Sequence, residues 1–220
     1  MEIVAITGAS GDPDERAAAL ATATGMPVYQ ARRHVTCGGP RVVTTYGVRQ
    51  AALDAADALR RAGFETVVIG DAALARMRLD VRAFELEERT ILASDREGAR
   101  LRVPYADVAV LVRGVRAGDG SDEREPFLAV HGGSGAALVF REAHLQYDGL
   151  HLERQPTAAA NFVRLVSRLR GRAIHAAYDE RLNTRAGQLA VLGDVLTPEA
   201  HLDVAIELVA RTLRRLRSAA

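Results

Sequence analysis

Residues 4–13 read VAITGASGDP, an apolar run that leads through a glycine-rich turn into a proline. The apolar run predicts a β-strand over residues 2–7. Asp12 and Pro13 predict that a helix begins directly afterwards, because proline fits the first helical position and a carboxylate stabilises the positive end of the helix dipole. A strand that turns through glycines into a helix is also where dinucleotide cofactors place their pyrophosphate. The stretch therefore raises the question of whether the chain holds a nucleotide.

Two features of this turn argue against a nucleotide. Asp14 stands where short-chain dehydrogenases have the glycine that lets the helix pack on the strand, and Asp12 precedes it. Carboxylates at a helix N-terminus compete with a phosphate for the same dipole. The acidic residue that would bind the ribose is also missing, since residues 28–35 carry only arginine and histidine as charged side chains. We interpret the stretch as an acid-capped turn and expect no cofactor.

Composition removes several classes of enzyme. All 29 basic residues are arginine, so the chain forms no lysine Schiff base and has no P-loop lysine. With a single cysteine, Cys37, it holds neither an intrachain disulfide nor a thiolate-rich zinc site. The basic residues are balanced by 28 acidic ones, which favours neither nucleic acid nor an anionic membrane as a partner. We expect a cytoplasmic protein without a leader peptide or a membrane-spanning segment.

The pattern along the chain predicts an α+β protein of two domains. Residues 1–72 form a small βααβαβ domain, in which segment 27–35 fits either a strand or a short helix. Residues 73–81 are a linker, and residues 82–220 form a β-rich domain with two C-terminal helices, at 157–170 and from Pro198. Further strands are expected at 84–92, 99–103, 108–115, 127–130 and 137–140, with a hairpin turn at 95–98 and a disordered acidic loop at 117–126.

Residues 24–35, TGMPVYQARRHV, resemble the C-terminal domain of the bacterial ribosomal stalk protein. That family begins its second helix with threonine, glycine and an apolar residue. An alanine, a basic residue and a valine follow at the offsets of Ala31, Arg32 and Val35. The pattern continues through Gly38–Pro40, Val42, Leu59, Gly63 and Val67, so the resemblance extends over residues 2–70.

The resemblance implies three helices on one face of a three-stranded antiparallel sheet. It also implies docking, because the stalk domain recruits translation GTPases and a protease adaptor uses a similar topology. The family's exposed basic helix position corresponds to Arg32, and Arg33 adds a second charge. We therefore expect Gly25, Arg32 and Arg33 to bind a protein partner, as in a non-enzymatic adaptor. The alternative for the two arginines is a solvated helix face.

Residues 141–155, REAHLQYDGLHLERQ, support a different hypothesis. Asp148-Gly149 is a strong signal for a two-residue hairpin turn. In that hairpin, four side chains able to bind a metal share one face: Glu142, His144, His151 and Glu153. Mixed nitrogen and oxygen ligands suit a divalent metal, although a solvated sheet face shows the same alternation. The alternative function is therefore a metal-dependent hydrolase that uses this face.

The remaining patterns have ordinary structural explanations. HGGSG at residues 131–135 is similar to the oxyanion loop of esterases, although a hairpin or bulge loop accounts for its glycines more simply. His175 and Asp179 are spaced to pair on one helix face. Apolar side chains within residues 202–216 recur at steps of four and three, which suits core packing or the seam of a homodimer. Residues 84–115 resemble bacterial pleckstrin-homology-like modules, which implies a fold but no function.

Overall fold

The computed structural model describes residues 1–36, 39–70, 74, 78–117, 124–133 and 135–218, with the backbone alone at 33, 36 and 117. The fold is of the α+β class that the sequence predicts. The chain divides into two compact units. The first joins Met1–Ala75 to Gln188–Thr212, and the second joins Arg76–Gly187 to Leu213–Ala220. Residues 188–212, which the prediction assigns to the second domain, thus belong by their contacts to the first unit.

The first unit begins with the predicted order of elements, and the ambiguous segment 27–35 is helical. These elements are β1 (Glu2–Ala9), α1 (Pro13–Thr24), α2 (Val28–Thr36), β2 (Arg41–Tyr46), α3 (Arg49–Arg61) and β3 (Phe64–Gly70). β1 lies between β2 and β3 and pairs with both in the antiparallel sense.

The chain continues mainly as strands before it returns to helices. The elements are β4 (Arg78–Val81), β5 (Ala83–Leu86), β6 (Thr90–Ser94), β7 (Arg100–Pro104), β8 (Val108–Ala117), β9 (Arg124–Gly132), β10 (Ala137–Arg141), α4 (Ala158–Arg172), β11 (Ala177–Leu182), α5 (Arg185–Leu192) and α6 (Pro198–Ser218). Short 3-10 helices span Tyr105–Asp107, Glu142–His144 and Asp148–Glu153. The strands form a five-stranded sheet of order β11-β8-β9-β10-β4 and a three-stranded antiparallel sheet of order β5-β6-β7.

Both ends of α1 are closed by the residues that the sequence indicates. Asp12 Oδ1 accepts hydrogen bonds from the backbone N–H groups of Asp14 (2.8 Å) and Glu15 (3.0 Å). Gly25 ends the helix with φ +71°, in the left-handed region that glycine tolerates best, and its N–H donates to the carbonyl of Ala21. The predicted acid-capped turn is confirmed, and its own carboxylate occupies the amides that would otherwise face an anion.

β1 is buried on both of its faces. On one face, Val4 and Ile6 join apolar side chains of α1, α2 and α3 in a single core cluster. On the opposite face, Ile3 pairs with Ile69 and Ala5 with Val42 in the sheet register. These four side chains are at most 1% exposed. A sheet with helices on one face alone would leave such residues in water, so this unit requires a further layer.

Segment 188–212 supplies further buried apolar side chains to the same unit. Leu192, Leu202 and Leu208, on α5 and α6, are at most 1% exposed. The segment meets the sheet at β2, where Gly193 has φ +66° and an added Cβ would lie 2.7 Å from the carbonyl oxygen of Val42. Only glycine combines that backbone angle with so close an approach.

The strand predicted over residues 84–92 is wrong, because β5 and β6 form a hairpin in its place. The intervening turn contains Glu87, Glu88 and Arg89, and three successive charges do not fit a strand with one buried face. Glu87 stabilises the turn, since its carboxylate accepts hydrogen bonds from Thr90 Oγ1 and from Arg102 Nη1 of β7 (2.9 Å). The predicted turn at 95–98 is confirmed between β6 and β7.

Three other expectations differ from the structure. The linker predicted at 73–81 ends in β4, which pairs in parallel with β10. The acidic loop predicted at 117–126 includes the end of β8 and the start of β9, while residues 118–123 lie outside the described part of the chain. His175 and Asp179 do not share a helix, since Asp179 lies in β11 and pairs in the sheet with β8.

The hairpin predicted within residues 141–155 is also wrong. The segment forms two 3-10 helices, and Gly149 is buried within the second of them. Leu145, Tyr147 and Leu150 belong to the core cluster of the second unit, so the apolar alternation reflects burial of an irregular segment. Gly149 lies so close to β5 that an added Cβ would be 1.9 Å from the carbonyl oxygen of Phe84.

The two long C-terminal helices begin where the sequence predicts. Thr157 caps α4 through a hydrogen bond from the N–H of Ala160 (3.2 Å). The helix continues two residues past its predicted end at Arg170. Its last residue, Arg172, donates hydrogen bonds to the carbonyl of Leu86 (3.0 Å) and to the Tyr105 hydroxyl (2.9 Å). α6 buries the early part of its apolar stripe, whereas Leu216 is 61% exposed. A homodimer through this helix stays a prediction.

Within the described residues, no helix combines the length and the apolar character that crossing a bilayer requires.

Two glycine substitutions in the second unit test the corrected structure of the 141–155 segment. Gly149→Ala should lower the free energy of unfolding by at least about 2 kcal/mol, because its methyl group would collide with a backbone oxygen. Gly171→Ala, at an exposed helical position with nothing within 4 Å, should raise it by about 0.5–1 kcal/mol. Urea denaturation followed by circular dichroism measures both. A hairpin tip at position 149 would instead make the first substitution mild.

Candidate functional site

The start of α2 presents apolar side chains to solvent. Val28 is 47% exposed and Tyr29 is 66% exposed, although most large apolar side chains of this unit are buried. Arg32 lies one turn after Val28 on the same helix face. We call Val28, Tyr29 and Arg32 the α2 surface. Gly25 contributes through its backbone, because its left-handed conformation ends α1 immediately before this surface.

Arg32 makes an ion pair with the first helix. Its Nε lies 3.1 Å from Oδ1 of Asp14, and the two side chains are 61% and 73% exposed. An ion pair between such exposed groups stabilises a fold by no more than about 1 kcal/mol. A carboxylate from another molecule can therefore replace Asp14 at little cost in free energy.

Two other residues of the sequence analysis are described in part or not at all. The backbone of Arg33 lies in α2 but its side chain is outside the described part of the structure, and Cys37 lies outside the described residues.

The four side chains that were candidate metal ligands do not form a metal-binding group in the structure. Glu153 accepts hydrogen bonds from Arg164 Nε (2.7 Å) and from Arg168 on α4. His151 is exposed and has φ +48°, a strained angle for a residue other than glycine. Within the described part of the chain, no group of three or more His, Cys, Asp or Glu side chains is placed to hold a metal ion. The geometric argument for a metal at this face therefore does not hold.

His144 lies instead beside a charged cluster that sequence reasoning missed. Its Nε2 is 3.8 Å from Oε1 of Glu125, a carboxylate that is 13% exposed. Arg141 donates from Nε to the other oxygen of Glu125 (2.8 Å) and thereby ties the end of β10 to the start of β9. Glu125 fell within the predicted disordered loop, so the sequence offered no signal for this contact. The cluster therefore consists of an ion pair between Arg141 and Glu125 that joins two strands, with His144 beside it.

Tyr147 packs next to this cluster. Its hydroxyl donates to the carbonyl of Glu142 (2.9 Å). Burial raises the pKa of Tyr147 well above the ordinary value of 10.0, and the carboxylates of Glu142 and Glu125 raise it further. The hydroxyl is therefore a persistent hydrogen-bond donor in the folded protein.

The glycine-rich loop after β9 is a hairpin connection, as the simpler interpretation predicts. β9 and β10 are antiparallel, and Gly135 has φ +90°. The amide of Gly132 donates to the carbonyl of Ala136 (2.9 Å), and that of Gly133 donates to the carbonyl of Asp107 (2.8 Å). Both amides are thus engaged with backbone oxygens and do not point at a site for an oxyanion. Ser134 lies outside the described residues.

The chain matches no protein-family model, and comparisons with curated proteins and with solved structures give no match either. The resemblance of residues 2–70 to the stalk domain therefore stays a prediction.

The environment of Tyr147 predicts a loss of stability in alkali. The pKa of Tyr147 in the folded protein lies above its value in the unfolded chain. The stability that its protonated hydroxyl contributes is therefore complete below about pH 10 and is lost as the pH rises further. The free energy of unfolding should fall by up to about 1.4 kcal/mol per pH unit for each such tyrosine. Urea titrations between about pH 9 and pH 11.5 should show a shallower slope in Tyr147→Phe than in the wild type. Equal slopes in Tyr147→Phe and the wild type would contradict this account.

Proposed function

We propose that the chain is a non-enzymatic protein-binding module, an adaptor, that holds its partner through the α2 surface. The observation that carries this proposal is the exposure of Val28 and Tyr29 side by side next to an arginine. Tyrosine and arginine supply much of the binding energy at protein interfaces, because each joins a large apolar area to hydrogen-bonding groups.

The helical spacing arranges these positions as two adjacent rows along α2. Val28 and Arg32 are four residues apart, and so are Tyr29 and the backbone position of Arg33. Residues at that spacing are neighbours on a helix face. The α2 surface is narrow. It therefore suits a short segment of a partner, such as one helix or one extended peptide, better than it suits a partner with a broad, flat interface.

The charges on this face indicate the chemistry of the partner. Arg32 is paired with Asp14, and both groups are exposed to water. A partner could offer an apolar side chain to Tyr29 and a carboxylate to Arg32. Its carboxylate would displace Asp14 from Arg32, and the new ion pair would be less exposed to water than the Arg32–Asp14 pair. We therefore infer that the bound segment is apolar with an acidic flank.

The competing hydrolase depends on a hairpin that the structure replaces with 3-10 helices. Its two histidines have different surroundings, since His144 lies near Glu125 whereas His151 is exposed within the second 3-10 helix. The adaptor is the better supported of the two hypotheses.

Site-specific photocrosslinking tests the proposal in living cells. A photoreactive phenylalanine analogue at position 29 should give one discrete adduct whose partner mass spectrometry identifies. The same analogue at Val163, which is 58% exposed on α4 in the other unit, is the matched control and should not capture that protein.

Affinity measurements with the purified partner then decide whether the α2 surface binds it. Tyr29→Ala should weaken binding at least about tenfold, which corresponds to about 1.4 kcal/mol. Arg32→Ala should weaken it to a smaller extent, and Val163→Ala should leave it unchanged. Equal affinities for the wild type and Tyr29→Ala would contradict the proposal.

A further inference from the structure

We propose that a pocket at one end of the first unit's sheet binds a small organic anion, with a carboxylate or phosphate head group on a compact apolar body. The pocket has a volume of about 320 Å³ and lies where β1, β2 and β3 meet α1 and α2. Its principal lining residues are Ile6, Arg16, His34, Arg41, Val43 and Phe64. The volume is at the lower end of the range of about 300–1,000 Å³ for ligand sites, so the ligand is small.

Two guanidinium groups line this pocket, and within the described part of the chain most of their N–H donors have no partner. Within the described residues, Arg16 makes one hydrogen bond, from Nε to the carbonyl oxygen of Asp12 (3.3 Å), and no ion pair. The side chain of Arg41 is only 21% exposed, and its one ion pair with a described residue, Asp194, is long at 3.8 Å. Asp194 is itself 92% exposed, so it neutralises Arg41 weakly. A guanidinium has five N–H donors, and both side chains are half-buried, so their unused donors face the pocket and can bind a ligand.

The rest of the lining explains why the ligand should be amphiphilic. Ile6, Val43 and Phe64 are buried residues of the sheet and give the pocket an apolar wall. His34, on α2, can donate a hydrogen bond from its ring in either protonation state. Arginine binds carboxylate and phosphate oxygens in bidentate fashion. A ligand that places its anionic head group at the two arginines and packs its apolar body against the sheet would match both the charged and the apolar side chains of the pocket.

The carboxylates of the elements around the pocket do not cancel the positive charge of its two guanidiniums, so the pocket favours an anion. Asp12 is occupied as the cap of α1. On β3, the carboxylate of Glu65 lies against the backbone of Gly8, where an added Cβ would be 2.4 Å from it. Gly8 itself lines the pocket, so this carboxylate lies close to the pocket wall. The guanidiniums of Arg16 and Arg41 still outnumber it, two positive charges to one negative charge. The site uses side-chain guanidiniums and not the helix N-terminus, whose amides Asp12 already caps.

Nuclear magnetic resonance of the arginine Nε–Hε groups in the full chain tests the proposal directly. The probes are benzoate, phenyl phosphate, inorganic phosphate and the neutral benzyl alcohol, each titrated to about 10 mM, a concentration that detects millimolar affinity. Benzoate or phenyl phosphate should give a saturable shift of the Arg16 and Arg41 signals, and the stronger of the two identifies the head group. Inorganic phosphate and benzyl alcohol should bind at least tenfold more weakly, because each lacks one half of the ligand.

Substitutions locate the binding and separate it from the adaptor proposal. Arg16→Gln and Arg41→Gln should each weaken probe binding at least tenfold, with an unchanged circular dichroism spectrum. Arg60→Gln, on α3 outside the pocket, should bind the probe as the wild type does. Tyr29→Ala should also bind normally, so either proposal can fail without the other. The proposal is overturned if neither aromatic anion gives a saturable shift, if benzyl alcohol binds equally well, or if both pocket variants retain wild-type affinity.

Discussion

The burial of β1 on both faces is the constraint on which the first unit depends. Ile3, Val4 and Ala5 are successive residues of this strand, and all three are fully buried. Because successive side chains of a strand point to opposite faces, such a run requires apolar cover on each side of the sheet. The helices α1, α2 and α3 cover one face. Segment 188–212 belongs to the same unit and brings its own buried apolar residues, although more than a hundred residues separate it from β3.

Local signals explain which parts of the fold could be predicted from the sequence. The residues that begin and end a helix act within one helical turn, so several helix ends follow from residue chemistry alone. These ends are the start of α1 at Asp12 and Pro13, its end at Gly25, and the starts of α4 at Thr157 and α6 at Pro198. The helix at 27–35 could not be distinguished from a strand by its short apolar spacing. Contacts with α1 and the sheet, through residues such as Ala31, settle it as a helix.

The failures arise where distant contacts override a local pattern. Asp148-Gly149 has the composition of a hairpin turn, yet burial of Tyr147 and Leu150 draws the segment into the core. The return of residues 188–212 to the first unit likewise has no local signature, because apolar helical stripes do not specify which surface they cover. Of the candidate site, Arg32 was found from the sequence through a resemblance, whereas the exposure of Tyr29 required the folded chain. The pocket residues Arg16 and Arg41 are distant in sequence, so their proximity was not predictable.

Hydrogen exchange tests most directly whether segment 188–212 completes the first unit. Gly193→Ala would place a methyl group 2.7 Å from the carbonyl oxygen of Val42, at the point where this segment meets β2. The account predicts faster amide exchange in β1 and β2 of this variant, because their second layer is displaced, and unchanged exchange in β8 and β9 of the other unit. Unchanged exchange in β1 and β2, with acceleration confined to β8 and β9, would contradict it.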